Sequence, residues 1–130
     1  MVLKNVFEKV KLIIVDSCGI EAKDITLEST LFDDLSIDSI DMVDILYNVE
    51  TEYDISLKIG DFEKDARKEL KGKPYEIDNV VTPEGLKVLR KRMPEIPKEK
   101  LKPGITVHEL LKLFTVRSLC KLILQKTNEK

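Results

Sequence analysis

The sequence predicts an all-α fold. Apolar residues recur at helical spacing in several separate stretches. Aromatic residues make up 5% of the chain and Trp is absent, so the core is aliphatic and suits packed helices. Strand signals are weak, the best being the short run Glu76-Ile77-Asp78-Asn79-Val80-Val81. A length of 130 residues fits one domain around one core.

Leu3 to Cys18 reads as the first helix: Leu3, Val6, Phe7, Val10, Ile13 and Ile14 line one face, and Gly19 is a stop signal. Ile20 to Ile37 lacks helical periodicity and reads as a long loop. Its apolar residues Ile25, Leu27, Leu31, Phe32 and Leu35 are expected to fold it onto the core. Ser39 to Tyr53 reads as the second helix, with Met42, Leu46, Val49 and Tyr53 as its buried stripe and Val43 and Ile45 beside it. Asp38 and Ser39 are both good caps for its start, and Asp41 in the first turn favours the positive end of the helix dipole.

Asp61 to Leu70 reads as a short helix closed by Lys71-Gly72-Lys73-Pro74. Thr82-Pro83-Glu84 starts another, with Thr as cap and Pro at the first helical position; Leu86, Leu89 and Met93 form its apolar edge. Pro94 to Gly104 is a connector with three prolines. Thr106-Val107-His108-Glu109 is a capping box, and Thr115 caps a last helix with the stripe Val116, Leu119, Cys120, Ile123 and Leu124.

Charge is unevenly distributed. From Asp24 to Leu57 there are ten acids and no Lys or Arg. From Lys58 to Lys130 there are 18 bases against 11 acids. No apolar run approaches the roughly 20 residues of a membrane span. The N-terminal residues show no signal-peptide pattern, and two cysteines make no disulfide framework. A cytoplasmic, monomeric protein with no nucleic-acid partner is the expectation.

Several chemistries find no support. His108 is the sole histidine and sits in a capping box, which leaves a Ser-His-Asp triad without a plausible base. No Cys/His cluster has zinc spacing. The five glycines are scattered and form no phosphate-cradling loop, and the acids of Asp33 to Asp44 do not follow a calcium-loop pattern. Neither an enzyme nor a metal site is expected.

The segment Leu31-Phe32-Asp33-Asp34-Leu35-Ser36-Ile37-Asp38-Ser39-Ile40-Asp41 resembles the phosphopantetheine attachment site of the acyl carrier protein family. That family has a Ser after an Asp at the start of a helix, following a long loop; Asp38-Ser39-Ile40 stands there. The run Met42 to Tyr53 resembles the family's acidic second helix, and Phe114-Thr115-Val116-Arg117-Ser118-Leu119-Cys120 its last helix. Two departures stand out: the family usually has Gly where this chain has Ser36, and Leu where it has Ile40.

The resemblance implies an acyl-carrier-like four-helix bundle. It implies 4'-phosphopantetheine, donated by coenzyme A, on Ser39, carrying acyl groups as thioesters for fatty-acid, lipid or related biosynthesis. A helix N-terminus suits an attached phosphodiester. The implied partners are a phosphopantetheinyl transferase and acyl-transferring and acyl-modifying enzymes with basic patches. They would be steered to Asp38, Ile40, Asp41, Asp44 and Glu50. The acyl chain would lie near Val43, Leu46, Leu119 and Ile123. A peptidyl carrier, or an unmodified helical module that binds a basic partner, is the alternative.

About 58–105 exceeds what the family's short third helix needs and reads as a partly helical insertion within a single domain spanning 1–130. Enlarged carriers of this kind resemble those specialised for very long acyl chains, such as the carrier of lipid A assembly. On that analogy Leu86, Leu89, Met93 and Ile96 are expected to extend the acyl pocket.

Overall fold

The computed structural model describes residues 2–129. Among them are six α-helices: α1 (Leu3–Cys18), α2 (Ser39–Tyr53), α3 (Asp61–Glu69), α4 (Pro83–Arg92), α5 (Val107–Leu111) and α6 (Val116–Asn128). Two short strands, β1 (Glu76–Ile77) and β2 (Val80–Val81), lie between α3 and α4. No helix among the described residues is long and apolar enough to cross a membrane.

Local chemistry sets these boundaries. Gly19 takes a left-handed conformation (φ 70°) and returns its N–H to the Val15 carbonyl, which ends α1. Thr82 caps α4 through the Gly85 N–H, with Pro83 in the first turn. Thr106 with Glu109, and Thr115 with Ser118, close reciprocal capping boxes on α5 and α6. The expected strand signal becomes a hairpin, so the fold is helical with a small β element. Glu76 pairs with Val81 and Ile77 with Val80. Asp78 and Asn79 both have positive φ (51° and 69°), which suits a tight two-residue turn.

α1 packs against α2 and α6, while α3 packs against α4 and α6. The buried apolar side chains form one cluster running from Val6 and Ile14 through Ile45, Leu57, Phe114 and Leu119 to Leu89, Ile96 and Leu101. Phe62 of α3 stacks on Phe114 with ring centroids 4.6 Å apart. Glu95 holds α6 with both oxygens: Lys121 Nζ donates to Oε1 at 2.7 Å and Ser118 Oγ to Oε2 at 2.8 Å.

The long loop before α2 is also fastened to α6. Ile25, Leu31, Leu35 and Ile37 are buried. The Leu31 N–H donates to Phe114 O at 3.0 Å, and the Val116 and Arg117 N–H groups donate to Ser29 O and Leu27 O, both at 2.9 Å. Ser36, on the short approach to α2, adopts the left-handed conformation at φ 53°. A side chain pays roughly 1–2 kcal/mol there, which explains why glycine suits this turn.

Within the 58–105 region one carboxylate is buried at a cost. Glu63 is 8% exposed. Its Oε2 and the Tyr75 hydroxyl are enclosed without a hydrogen-bond partner among the described residues. Burial pushes the Glu63 carboxyl above its usual range, against the opposing influence of the neighbouring Tyr75 hydroxyl and then of the Arg67 charge.

Two stability predictions follow from these strained positions. Ser36→Gly is expected to stabilise the fold by about 0.5–1 kcal/mol, the relief of left-handed strain less the entropy glycine adds to the unfolded chain; urea denaturation measures it. A carboxyl whose folded pKa is raised costs nothing while protonated in both states, and destabilises as pH climbs past its unfolded value. Glu63→Gln is therefore expected to raise the melting temperature at pH 7, with the advantage over the unaltered chain vanishing below about pH 4.

Candidate functional site

α2 starts where the loop anchored on α6 delivers it. Asp38 is extended (φ −92°, ψ 178°), and its side chain accepts the Asp41 N–H at 2.7 Å. With Asp38 serving as the cap, the hydroxyl of Ser39 is left over. Ser39 is exposed at the first helical position, next to Ile40, which is 81% exposed. The unpaired N–H groups of a helix's first turn and the positive dipole end favour an anion there.

Along α2 the residues Ser39, Met42, Val43, Leu46, Tyr47 and Glu50 form one stripe at helical spacing, and all six border a cavity of about 640 Å³. The volume is typical of small-molecule sites. The facing wall comes from Phe32 of the loop, from Leu57, Lys58 and Ile59, and from His108 and Leu111 of α5 with Lys112 just after it. A group attached to Ser39 would have open solvent on one side and an apolar trough on the other. The residues present therefore fit a phosphopantetheine arm with an apolar cargo.

The acids gathered at the start of α2 create a negative field. Asp38 and Asp44 are exposed and Asp41 partly so. Burial, then the charges of Asp41, Asp38 and Asp44, push the nearby Cys18 thiol upward. Among the described residues none of the three makes a salt bridge.

Three sequence expectations are changed by the geometry. Glu50, expected among the docking acids, has its carboxylate turned inward: Oε2 accepts the Leu57 N–H at 2.7 Å and faces Lys58 Nζ at 3.3 Å. The Leu57 N–H is the main influence holding its carboxyl below the usual range. Leu119 and Ile123 are fully buried and border no part of the cavity. Their face of α6 is turned into the core that α1 and α3 share, so the wall opposite α2 falls to α5. Leu86, Leu89, Met93 and Ile96 are likewise buried, and none lines the cavity. Leu89 and Met93 instead border a separate cleft of about 240 Å³ beside Ser118 and Leu122.

Residues that the sequence reading did not assign to the acyl pocket also line the cavity. Phe32, Met42, Tyr47, Leu57, Ile59, Leu111, His108 and Lys112 are among them. A signal existed for some: Tyr47 lies one turn beyond Val43, and His108, Leu111 and Lys112, the last just past the end of α5, share one side by their spacing. Nothing local in the sequence says that this face of α5 meets α2.

Comparison with known proteins identifies the family. A family model described as the phosphopantetheine attachment site matches residues 8–67, from α1 into α3. The acyl carrier protein of Clostridium acetobutylicum is 48% identical over 59 residues, covering 45% of this chain and 77% of that one. The acyl carrier protein of Thermotoga maritima is 38% identical over 61 residues, covering 47% and 75% respectively. No solved structure matches the chain. Since most of each carrier's length is matched at this identity, and the match takes in the whole of α2, the chain belongs to the acyl carrier protein family: a carrier of acyl groups on 4'-phosphopantetheine rather than an enzyme.

Proposed function

We propose that Ser39 is the attachment residue for the phosphopantetheine arm. The observation that carries this is its position: an exposed hydroxyl on the first turn of α2, relieved of capping by Asp38, at the rim of the cavity and within the matched stretch. When bound, the arm supplies a terminal thiol for a thioester. Asp38 orders the first turn, and the helix start favours the phosphodiester. Ser36 is the nearest rival, but it lies in the left-handed turn before the helix.

The acyl chain is proposed to lie in the cavity against Val43 and Leu46, with Phe32, Leu57, Ile59 and Leu111 around it. Each methylene removed from water contributes about 0.8 kcal/mol, so a loaded chain stabilises the domain. Residues 1–130 are proposed to act as one carrier domain with the insertion at about 58–105 built into it. The stacking of Phe62 on Phe114 and the grip of Glu95 on α6 support this.

Partner enzymes of acyl metabolism, with a phosphopantetheinyl transferase first among them, are proposed to dock on Asp38, Ile40, Asp41 and Asp44. Complementary charge speeds encounter and is screened by salt, as a shuttle among several enzymes requires. Ile40 and Val43, 81% and 68% exposed, add an apolar contact beside the acids.

Two experiments test these assignments. Incubation with a transferase and coenzyme A is expected to raise the intact mass of the protein and leave Ser39→Ala unchanged; modification of the variant would reassign the site. The double reversal Asp41→Lys, Asp44→Lys is expected to slow modification tenfold or more at low ionic strength while shifting stability by no more than about 1 kcal/mol. Equal rates at low salt would remove these two acids from the docking surface.

A further inference from the structure

The end of the cavity away from Ser39 is closed by a short piece of chain held from two sides. Glu50 stands eleven residues along α2 from Ser39, about 16 Å at the helical rise. Its Oε2 accepts the Leu57 N–H at 2.7 Å. The next amide, that of Lys58, donates to Asp61 Oδ2 at 2.8 Å. Asp61, the first residue of α3, is itself tied to α6, with Lys126 Nζ 3.0 Å from the same oxygen. The Asp61 N–H returns to Lys58 O at 2.9 Å. Two consecutive amides are thus pinned by two carboxylates, one on α2 and one at the mouth of the insertion.

Between those pins lie the side chains that face the cavity. Leu57 is 1% exposed and Ile59 is 37% exposed, and both line it together with Glu50 and Lys58. The 57–59 segment has no helix or strand of its own to hold it, so its position depends on the bonds just described. A charged acceptor makes such bonds about twice as strong as neutral ones. Moving the segment outward would lengthen the trough along α2; drawing it in shortens the trough.

We infer that residues 57–59 form the end wall that sets how long an acyl chain the cavity accepts, and that Glu50 is the positioning residue that fixes this wall. The inference rests on the cavity being the acyl site. It gives the 58–105 region a role at this site through Lys58, Ile59 and Asp61, instead of through Leu86, Leu89, Met93 and Ile96.

The test uses the full-length holo-protein loaded with saturated acyl chains of increasing length, with melting temperature recorded for each. In the unaltered protein the melting temperature is expected to climb with each added carbon until the wall is reached, then level off. In Glu50→Ala, and independently in Ile59→Ala, levelling is expected at a chain at least two carbons longer. Glu50→Gln keeps an oxygen for the Leu57 N–H and is expected to level where the unaltered protein does.

The unloaded variants provide the reference, because a role in stability alone would lower every melting temperature without moving the point of levelling. An unmoved point in folded Ile59→Ala overturns the inference, as does an unmoved point in folded Glu50→Ala. A flat profile in the unaltered protein overturns the acyl-site reading and the inference with it. Length dependence with the same end point in every variant overturns the inference alone.

Discussion

The amides that open α6 have no carbonyl of their own helix to bond, and the structure depends on where they go instead. A helix leaves its first N–H groups unsatisfied. Thr115 and Ser118 satisfy part of this need with a buried capping box. Val116 and Arg117 give theirs to Ser29 and Leu27 of the long loop, and Leu31 gives its own to Phe114 in return. A loop with little regular structure beyond a 3-10 turn at Ala22–Asp24 thereby obtains partners for its buried backbone. This lattice fixes Leu31, Leu35 and Ile37 in the core and so determines where α2 begins. The exposure of Ser39 is a consequence of bonds made by residues far from it in sequence.

The same end of α6 receives the 58–105 region. Glu95 bonds Ser118 Oγ, the partner of the Thr115 cap, and Phe62 stacks on Phe114 immediately before that cap. The loop, the 58–105 region and the last helix therefore meet at Phe114 to Ser118. Aromatic stacking of this kind contributes about 0.5–1.5 kcal/mol beyond area burial. Glu95 is also paired with Lys121, so its nearly enclosed carboxylate is not left uncompensated. The contacts of Phe62 and Glu95 fall on the residues that cap α6. The 58–105 region shares one core with the rest of the chain.

Elements whose signals are local were legible in the sequence. The ends of α1 and α2 follow from Gly19, Asp38 and the apolar periodicity, and α4 to α6 follow from three Thr caps. The Asp78-Asn79 turn was visible as a weak strand signal because two residues of each strand are too few to show alternation. What was not legible depends on contacts between distant segments. Leu119 and Ile123 read as a helical face, but periodicity cannot say whether that face meets α1 or α2. Glu50 read as one acid in an acidic helix, since no local pattern announces that Leu57 will return to it. The family motif was readable because it is local: loop, Asp cap and Ser at the first helical position are contiguous.

The distribution of ion pairs along α2 then gives the acidic helix a direction. Glu50 is occupied by Leu57 and Lys58, and Glu52 by Lys9 at 2.9 Å. Asp38, Asp41 and Asp44 make no salt bridge among the described residues. The second half of the helix is therefore neutralised by its own protein, while the first half keeps its charge for solvent. Unscreened charge acts over about 10 Å at moderate ionic strength, a distance that spans the first two turns and falls short of the far end. A basic surface approaching the helix is drawn to the Ser39 end and away from the 57–59 segment. One helix thus separates the place where partners are proposed to dock from the place where the cavity is closed, and the sorting is done by which carboxylates the protein keeps for itself.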